Sequence, residues 1–171
     1  MPRDLAQGFA FPLGCALALF LSPFSVRSAQ GAEPDPERLT ALEASLHRDV
    51  NSLRASRHLI PMQRLAELDR VARAHSADMA RRGYANHVNP EGLNPVERIH
   101  GAGVEGFTLA AENIGRTNRP RPNREIVSAW IASPDHRRNL YAPVFNATGI
   151  GVARAPDGTL FFTQIFVTYP R

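Results

Sequence analysis

Apolar residues recur at helical spacing in several stretches of the chain. One helix is predicted at about residues 63–82, where Gly83 is placed to end it. Upstream, Asp35 can cap a helix that Pro36 opens. The apolar stripes of the two helices are Leu39, Leu42, Leu46, Val50 and Leu53 in the first, and Leu68, Val71, Ala72, His75 and Met79 in the second.

Shorter helices and a sheet are predicted further along the chain. A capped helix starts at Asn94, and Asn123 can cap a longer one that ends at Ser133-Pro134. His136 then begins a short turn or helix toward Leu140. The predicted strands are residues 107–114, 149–152 and 160–169, with a hairpin turn at residues 155–158 between the last two.

The last predicted strand is apolar on both faces. Its two sets of side chains are Phe161, Ile165 and Val167 on one face, and Leu160, Phe162 and Phe166 on the other. Because both faces then need cover, we expect helices on each side of a small central, mainly antiparallel sheet, which is an α+β fold. A length of 171 residues with 43% hydrophobic and 21% charged positions fits one globular domain.

The N-terminus has the three parts of a secretory signal. Arg3 precedes an apolar run at residues 9–21, and small residues such as Ala29 and Gly31 follow. We therefore predict a signal peptide at residues 1–31 and a linker at 32–38, with an uncleaved anchor as the minority alternative. The mature chain would be secreted or periplasmic and have no stable membrane span.

The only cysteine, Cys15, lies inside the predicted signal peptide, so the mature chain has no thiol. All the basic positions counted as Lys or Arg are arginines, and the net charge is only +4. No long basic run or aromatic pattern accompanies them, which argues against a nucleic-acid partner.

Four polar residues are candidates for a functional or a structural role. His75 lies on an apolar stripe, where a hydrogen-bonded core histidine is favoured over a metal ligand. His87 lies in a loop, and Glu112 lies in an apolar strand, where a buried carboxylate requires a partner. Glu125 falls in the first turn of a helix, where the helix dipole alone explains a carboxylate as well as a site role would.

Several motifs resemble those of the CAP or SCP domain, the superfamily of cysteine-rich secretory proteins, antigen 5 and plant pathogenesis-related proteins. The resemblance covers residues 39–169, is closest in style to the compact, cysteine-poor bacterial branch, and assigns residues 39–171 to this domain. Its motifs are Leu68-x-x-x-Ala72-x-x-His75-x-x-x-Met79-Ala80, Asn86-His87, Ala111-Glu112-Asn113-Ile114, Val127-x-x-Trp130-x-x-Ser133-Pro134-Asp135-His136-Arg137-x-Asn139-Leu140, Gly149-x-Gly151-Val152 and Thr163-Gln164-x-Phe166.

The resemblance implies a three-layer α-β-α sandwich with a central cleft of two histidines and two acids. Matched by motif, these are His87, Glu112, Glu125 and His136. Structural roles are predicted for His75, Asn113, Trp130 and Gln164. The chain departs from the family pattern at Ala111 and Asp135, where glycine is usual. Asp135 could favour the imidazolium form of His136 and weaken metal binding, or add a ligand.

Three functional hypotheses remain open at this stage. The first is a secreted, non-enzymatic module that binds an envelope component, lipid or protein through the cleft. The second is a hydrolase using the same cluster, assisted by Zn²⁺ or another divalent cation held by His87 and His136 with Glu112 or Glu125. The third is an exported domain whose cluster is structural. The binding module requires no cofactor. It is favoured over the hydrolase because the sequence contains no evident activated nucleophile.

Overall fold

The computed structural model describes residues 36–170, so the predicted signal peptide and Cys15 lie outside the described residues. The elements in chain order are α1 (Pro36–Ala55), β1 (Gln63–Arg64), α2 (Ala66–Arg82), α3 (Pro95–Gly101), β2 (Leu109–Thr117), α4 (Pro122–Ala132), α5 (Pro134–Tyr141), β3 (Ala147–Arg154) and β4 (Leu160–Thr168). Residues 36–38 of the predicted linker therefore belong to α1. Within this part of the chain no helix has the length and apolar character needed to cross a membrane.

The sheet has the strand order β1-β3-β4-β2, which leaves β2 at one edge. β4 pairs antiparallel with both β3 and β2. β1 pairs parallel with β3 through only two positions, Gln63 with Ala147 and Arg64 with Thr148. The sheet is thus mainly antiparallel, as the hairpin pattern predicts.

Helices cover both faces of the sheet. On one face, α1, α4 and α5 bury the β4 residues Phe162 and Phe166 around Trp130. On the other, α2 and α3 bury Ile165 and Val167. The predicted three-layer α-β-α sandwich is confirmed, because the alternating side chains of β4 supply both cores.

Helix α2 lies directly on β3 because two glycines remove the side chains that would separate them. A Cβ atom built on Gly149 would lie 2.2 Å from the carbonyl carbon of Leu68. One built on Gly151 would lie 2.1 Å from the backbone nitrogen of Arg73. Both contacts are with helix backbone, so no side-chain rotation can relieve them.

Two buried carboxylates satisfy the part of β3 that β1 is too short to pair. Asp69 Oδ1 accepts a hydrogen bond from Ile150 N at 2.8 Å, and Glu43 Oε1 accepts one from Val152 N at 3.2 Å. Arg64 and Arg73 in turn donate to Glu43 at 2.9 and 2.8 Å. These side chains provide the hydrogen bonds that a longer neighbouring strand would otherwise make.

Several boundaries differ from the sequence expectation, and three of these differences change what the residues do. Residues 63–64 form β1 instead of the start of α2, because Gln63 N donates to Asn146 O at 2.9 Å. The strand predicted at residues 107–114 is Leu109–Thr117, so Glu112 lies near its middle and not near its end. Asn123 lies inside α4 and not at its cap, and its side chain donates to Leu42 O at 2.9 Å, linking α4 to α1.

Candidate functional site

Three of the four polar residues of the predicted site gather around two neighbouring positions in β2. Successive side chains of a strand leave opposite faces, so Glu112 and Asn113 reach into different helical layers. Ala110 packs with the α2 and α3 core, whereas Ala111 packs with the α1, α4 and α5 core. Glu112 therefore faces the layer of α2 and α3, and Asn113 faces the layer of α1, α4 and α5. Both residues lie on an edge strand.

Glu112 is a buried carboxylate with both oxygens engaged. Its Oε1 accepts a hydrogen bond from His87 Nδ1 at 2.9 Å, and its Oε2 accepts one from Arg98 Nη2 at 2.6 Å. The side chain is only 1% exposed. A carboxylate so far from water needs these two partners, because an unpaired buried charge is strongly unfavourable.

Arg98 fixes the loop that carries His87 as well as the carboxylate. Its Nη1 donates to His87 O at 2.6 Å and to Leu93 O at 2.9 Å. Arg98 is positioned by α3, whose first turn is closed by reciprocal hydrogen bonds between Asn94 and Glu97. This capping box holds the helix start in place and so orients the guanidinium one turn further on.

Asn113 positions His136 on the opposite face of β2, as Glu112 positions His87. Its Nδ2 donates to His136 O at 3.0 Å, and its Oδ1 accepts from Asn139 Nδ2 at 2.9 Å. Trp130 Nε1 donates to Ile114 O at 2.8 Å. These contacts attach the start of α5, and with it His136, to the same strand that holds His87.

The two imidazoles meet as a result. The ring centroids of His87 and His136 are 6.1 Å apart, and the ring planes are inclined by 51°. The His87 side chain is 45% exposed and His136 is half-buried, so both remain within reach of a partner. We call His87, Arg98, Glu112 and His136 the β2-edge cluster.

His136 is biased toward its neutral form. Burial lowers the pKa of His136, and the nearby His87 lowers it further, whereas Asp135 acts in the opposite direction with the smallest effect. The Asp135 side chain is 84% exposed and pairs with Arg138 at 3.2 Å. Asp135 therefore favours the imidazolium form of His136, but burial and His87 lower the pKa by more than Asp135 raises it.

His75 lies beneath the cluster as a buried, hydrogen-bonded histidine. Its Nε2 donates to Asn86 O at 3.0 Å and lies 3.9 Å from Glu112 Oε1. Burial lowers the pKa of His75, with Glu112 raising it and Arg98 lowering it to a smaller extent. This histidine therefore braces the residue before His87 and favours the uncharged form.

Glu125 and Gln164 do not take part in these contacts among the described residues. Glu125 lies in the first turn of α4, and within residues 36–170 no hydrogen bond or ion pair joins it to His87, Glu112 or His136. Gln164 is buried in β4 and donates to Thr148 Oγ1 at 3.2 Å. The structure thus brings together three of the four residues assigned to the cleft.

The donor set of the β2-edge cluster does not match a protein zinc site. No group of three or more His, Cys, Asp or Glu side chains in the described part of the chain is arranged to hold a metal ion. Both Glu112 oxygens are engaged by Arg98 and His87. The two imidazoles alone fall short of the three protein ligands of catalytic zinc and the four of structural zinc.

Arg98 is the residue of the cluster that sequence reasoning missed. Glu112 in an apolar strand implies a nearby cation, and Arg98 follows a recognisable capped helix start at Asn94. The sequence does not show that α3 and β2 lie side by side, because Arg98 and Glu112 are 14 positions apart with a loop between them.

The three-layer sandwich and the β2-edge cluster together define an α-β-α domain of the CAP type. The family model of the cysteine-rich secretory protein family (CAP) matches residues 47–166, and the chain belongs to this family. The chain is 30% identical over 146 residues to the protein YkwD of Bacillus subtilis (strain 168), covering 85% of this chain and 54% of that protein. It therefore spans about half the length of the curated relative it matches.

Solved structures of bacterial proteins are also similar. An extracellular protein containing an SCP domain from Bacillus anthracis is 26% identical with a TM-score of 0.68, covering 78% of this chain and 43% of that one. An outer surface protein of Borrelia burgdorferi has a TM-score of 0.69 at 21% identity, covering 76% of this chain and 94% of that one. The second likeness supports the fold alone.

Proposed function

We propose that this chain is an exported, non-enzymatic CAP module that binds an envelope component, lipid or protein through the β2-edge cluster. The observation that carries this proposal is the engagement of Glu112 by Arg98 and His87 at 2.6 and 2.9 Å. A carboxylate held this way orients its neighbours and has no free oxygen for chemistry. Export is supported by the predicted signal peptide and by the similar Bacillus anthracis protein, which is described as extracellular.

The chemistry of the exposed imidazoles indicates what such a partner would offer. With Nδ1 donating to Glu112, the uncharged form of the His87 ring presents Nε2 as an acceptor. His136, whose pKa is lowered, supplies one donor and one acceptor in its neutral form. The pair therefore suits a neutral polar group, such as a hydroxyl or an amide, better than an anion.

The test is retention of envelope material by immobilised protein. We expect the full chain to retain a specific component from an envelope extract, and His87→Ala and His136→Ala to weaken retention about tenfold each, as loss of a buried polar contact does. The matched control is His100→Ala, which removes an exposed histidine outside the β2-edge cluster. Equal retention by all four proteins, or no specific retention at all, would contradict the proposal.

A hydrolase is the second candidate, favoured by one observation. The hydrogen bond from His87 Nδ1 to Glu112 leaves Nε2 free, which is the arrangement of a general base and its orienting acid. Any turnover found in a substrate screen should then vanish in Glu112→Gln while the fold survives. A Glu112→Gln variant that retains turnover would exclude this role.

Divalent cations remain a separate proposal for the same two histidines. If His87 and His136 bind Zn²⁺, calorimetry of the full chain should show uptake that His87→Ala and His136→Ala each abolish. Uptake that is unchanged in both variants would place the ion elsewhere. The engagement of Glu112 by Arg98 is the reason to expect weak binding.

A further inference from the structure

A second candidate site lies at the far end of β2, in a cavity lined by arginines. The cavity has a volume of about 210 Å³ and lies where the first turn of α1, the β2–α4 loop and the β3–β4 hairpin meet. Arg38, Arg119 and Arg154 come from these three segments and all line it. Three like charges brought together from distant parts of the chain repel one another unless an anion joins them.

No residue of the described part of the chain neutralises the three arginines. Within residues 36–170, their side chains make no ion pair and no hydrogen bond. Arg64, Arg73 and Arg98, by contrast, each pair with a carboxylate. The guanidinium of Arg154 lies over the hairpin turn, with Nη2 3.3 Å from where a Cβ of Gly158 would stand, and Gly158 also lines the cavity.

The β2–α4 loop beside the cavity extends the positive charge, while the hairpin turn places the acidic Asp157 near Arg116. Residues 116–124 contain no acidic residue and four exposed arginines, Arg116, Arg119, Arg121 and Arg124. The cavity also touches the first turns of α1 and α4, whose dipoles favour an anion. Glu37 and Glu125 occupy the same first turns, but neither lines the cavity.

We propose that this cavity binds a phosphate group. The planar guanidinium matches the oxygens of phosphate and carboxylate, and a phosphate monoester carries more charge than one carboxylate, which three arginines can balance. At about 210 Å³ the space is smaller than a typical drug-sized ligand pocket, so it fits a small anion or the terminal group of a larger molecule. No aromatic residue lines it, so it offers no platform for a stacked ring.

This phosphate site is separate from the β2-edge cluster. Glu112 and Asn118 are six positions apart, which corresponds to about 20 Å of extended strand. No member of the cluster lines the cavity. Phosphate binding at this cavity can therefore be tested independently of binding at the β2-edge cluster.

The test is calorimetric titration of the full chain with inorganic phosphate at constant ionic strength. We expect saturable binding to one site, and about tenfold weaker binding by Arg119→Gln and by Arg154→Gln, the change expected for loss of one charge-assisted hydrogen bond. Arg48→Gln is the matched control, because it removes the same charge from an exposed position of α1 that does not line the cavity. It should change the affinity less than about twofold, since distant surface charges are screened.

Vesicles distinguish the two sources of a phosphate group. Binding to phosphatidylcholine vesicles that contain phosphatidic acid, competed by free phosphate, would assign the site to a lipid headgroup. Saturation by free phosphate without vesicle binding would assign it to a soluble phosphate. Absence of saturable phosphate binding, or equal weakening by Arg48→Gln, would overturn the proposal. The three substituted arginines are exposed, so unchanged thermal unfolding should confirm that the variants fold.

Discussion

Arg98 and Glu112 form an ion pair that is almost completely removed from water, with side-chain exposures of 9% and 1%. Such a pair adds little net stability compared with an apolar pair, yet removing one partner is costly because the other charge stays buried. Arg98 also donates to the carbonyl oxygen of His87, so the pair links stability to the geometry of the β2-edge cluster.

Breaking this pair should therefore be strongly destabilising. We expect Arg98→Met and Glu112→Gln each to lower the free energy of unfolding by about 3 kcal/mol in urea titrations. The double variant should lose clearly less than the sum, because neither charge is left alone. Additive losses would show that the two side chains do not interact.

The buried histidines predict how stability depends on pH. The pKa values of His75 and His136 are lowered from 6.5 in the folded chain, chiefly by burial. As pH falls through 6.5 the unfolded chain binds protons first, so the free energy of unfolding decreases from there toward the lowered folded values.

A His75→Gln variant separates this effect from other titrations. Glutamine keeps a donor for Asn86 O but does not titrate, so the loss of stability between about pH 7 and pH 5 should become smaller. The exposed His58 is the control, because His58→Asn also removes one imidazole but from a position that the fold does not bury. Equal slopes in all three proteins would mean that His75 does not change its charge on unfolding in this range.

At the scale of elements, α2 packs closely on β3. The helix can approach because Gly149 and Gly151 have no side chains, and Ser76 Oγ then donates to Gly151 O at 2.9 Å. The contact places His75, one residue earlier in α2, beneath Glu112.

Adding one methyl group at this contact tests its tightness. Gly151→Ala would place a Cβ 2.2 Å from the carbonyl carbon of Ala72, so α2 would have to move and we expect a loss of at least about 3 kcal/mol. Gly101→Ala is the control, since nothing lies within 4 Å of its Cβ position. Similar stability of the two variants in thermal unfolding would contradict this packing.

The helices and the hairpin could be predicted because their patterns are local. The stripe from Leu39 to Leu53 and the capping signal at Asn94 each depend on neighbours within a few positions. β1 could not be predicted, because two residues form a strand only by pairing with Ala147 and Thr148. The meeting of His87 with Glu112 came from family resemblance, since no spacing rule joins a loop to an edge strand.

At the scale of the whole molecule, Arg54 joins segments that are far apart in sequence. This fully buried guanidinium has no carboxylate partner among the described residues. It donates instead to the backbone carbonyl oxygens of Ile60, Leu140, Ala142 and Phe145 at 2.9–3.1 Å. The end of α1 is thereby attached to the end of α5 and to the segment leading into β3.

Arg54→Met should show how much the fold depends on this junction. Four carbonyl oxygens would lose their donor, and we expect a loss of at least about 3 kcal/mol in urea unfolding. Arg57→Met removes an exposed arginine near Tyr141 and should cost less than about 1 kcal/mol. Comparable losses would contradict a special role for Arg54.

The central claim is that Glu112 fixes the His87 ring so that Nε2 is presented beside His136. Long-range ¹H–¹⁵N NMR of the imidazoles at about pH 8, where histidine is neutral, measures this directly. The predicted result is the tautomer with the proton on Nδ1 of His87, as required for donation to Glu112 Oε1 at 2.9 Å. A His87 ring that carries its proton on Nε2 would contradict the arrangement.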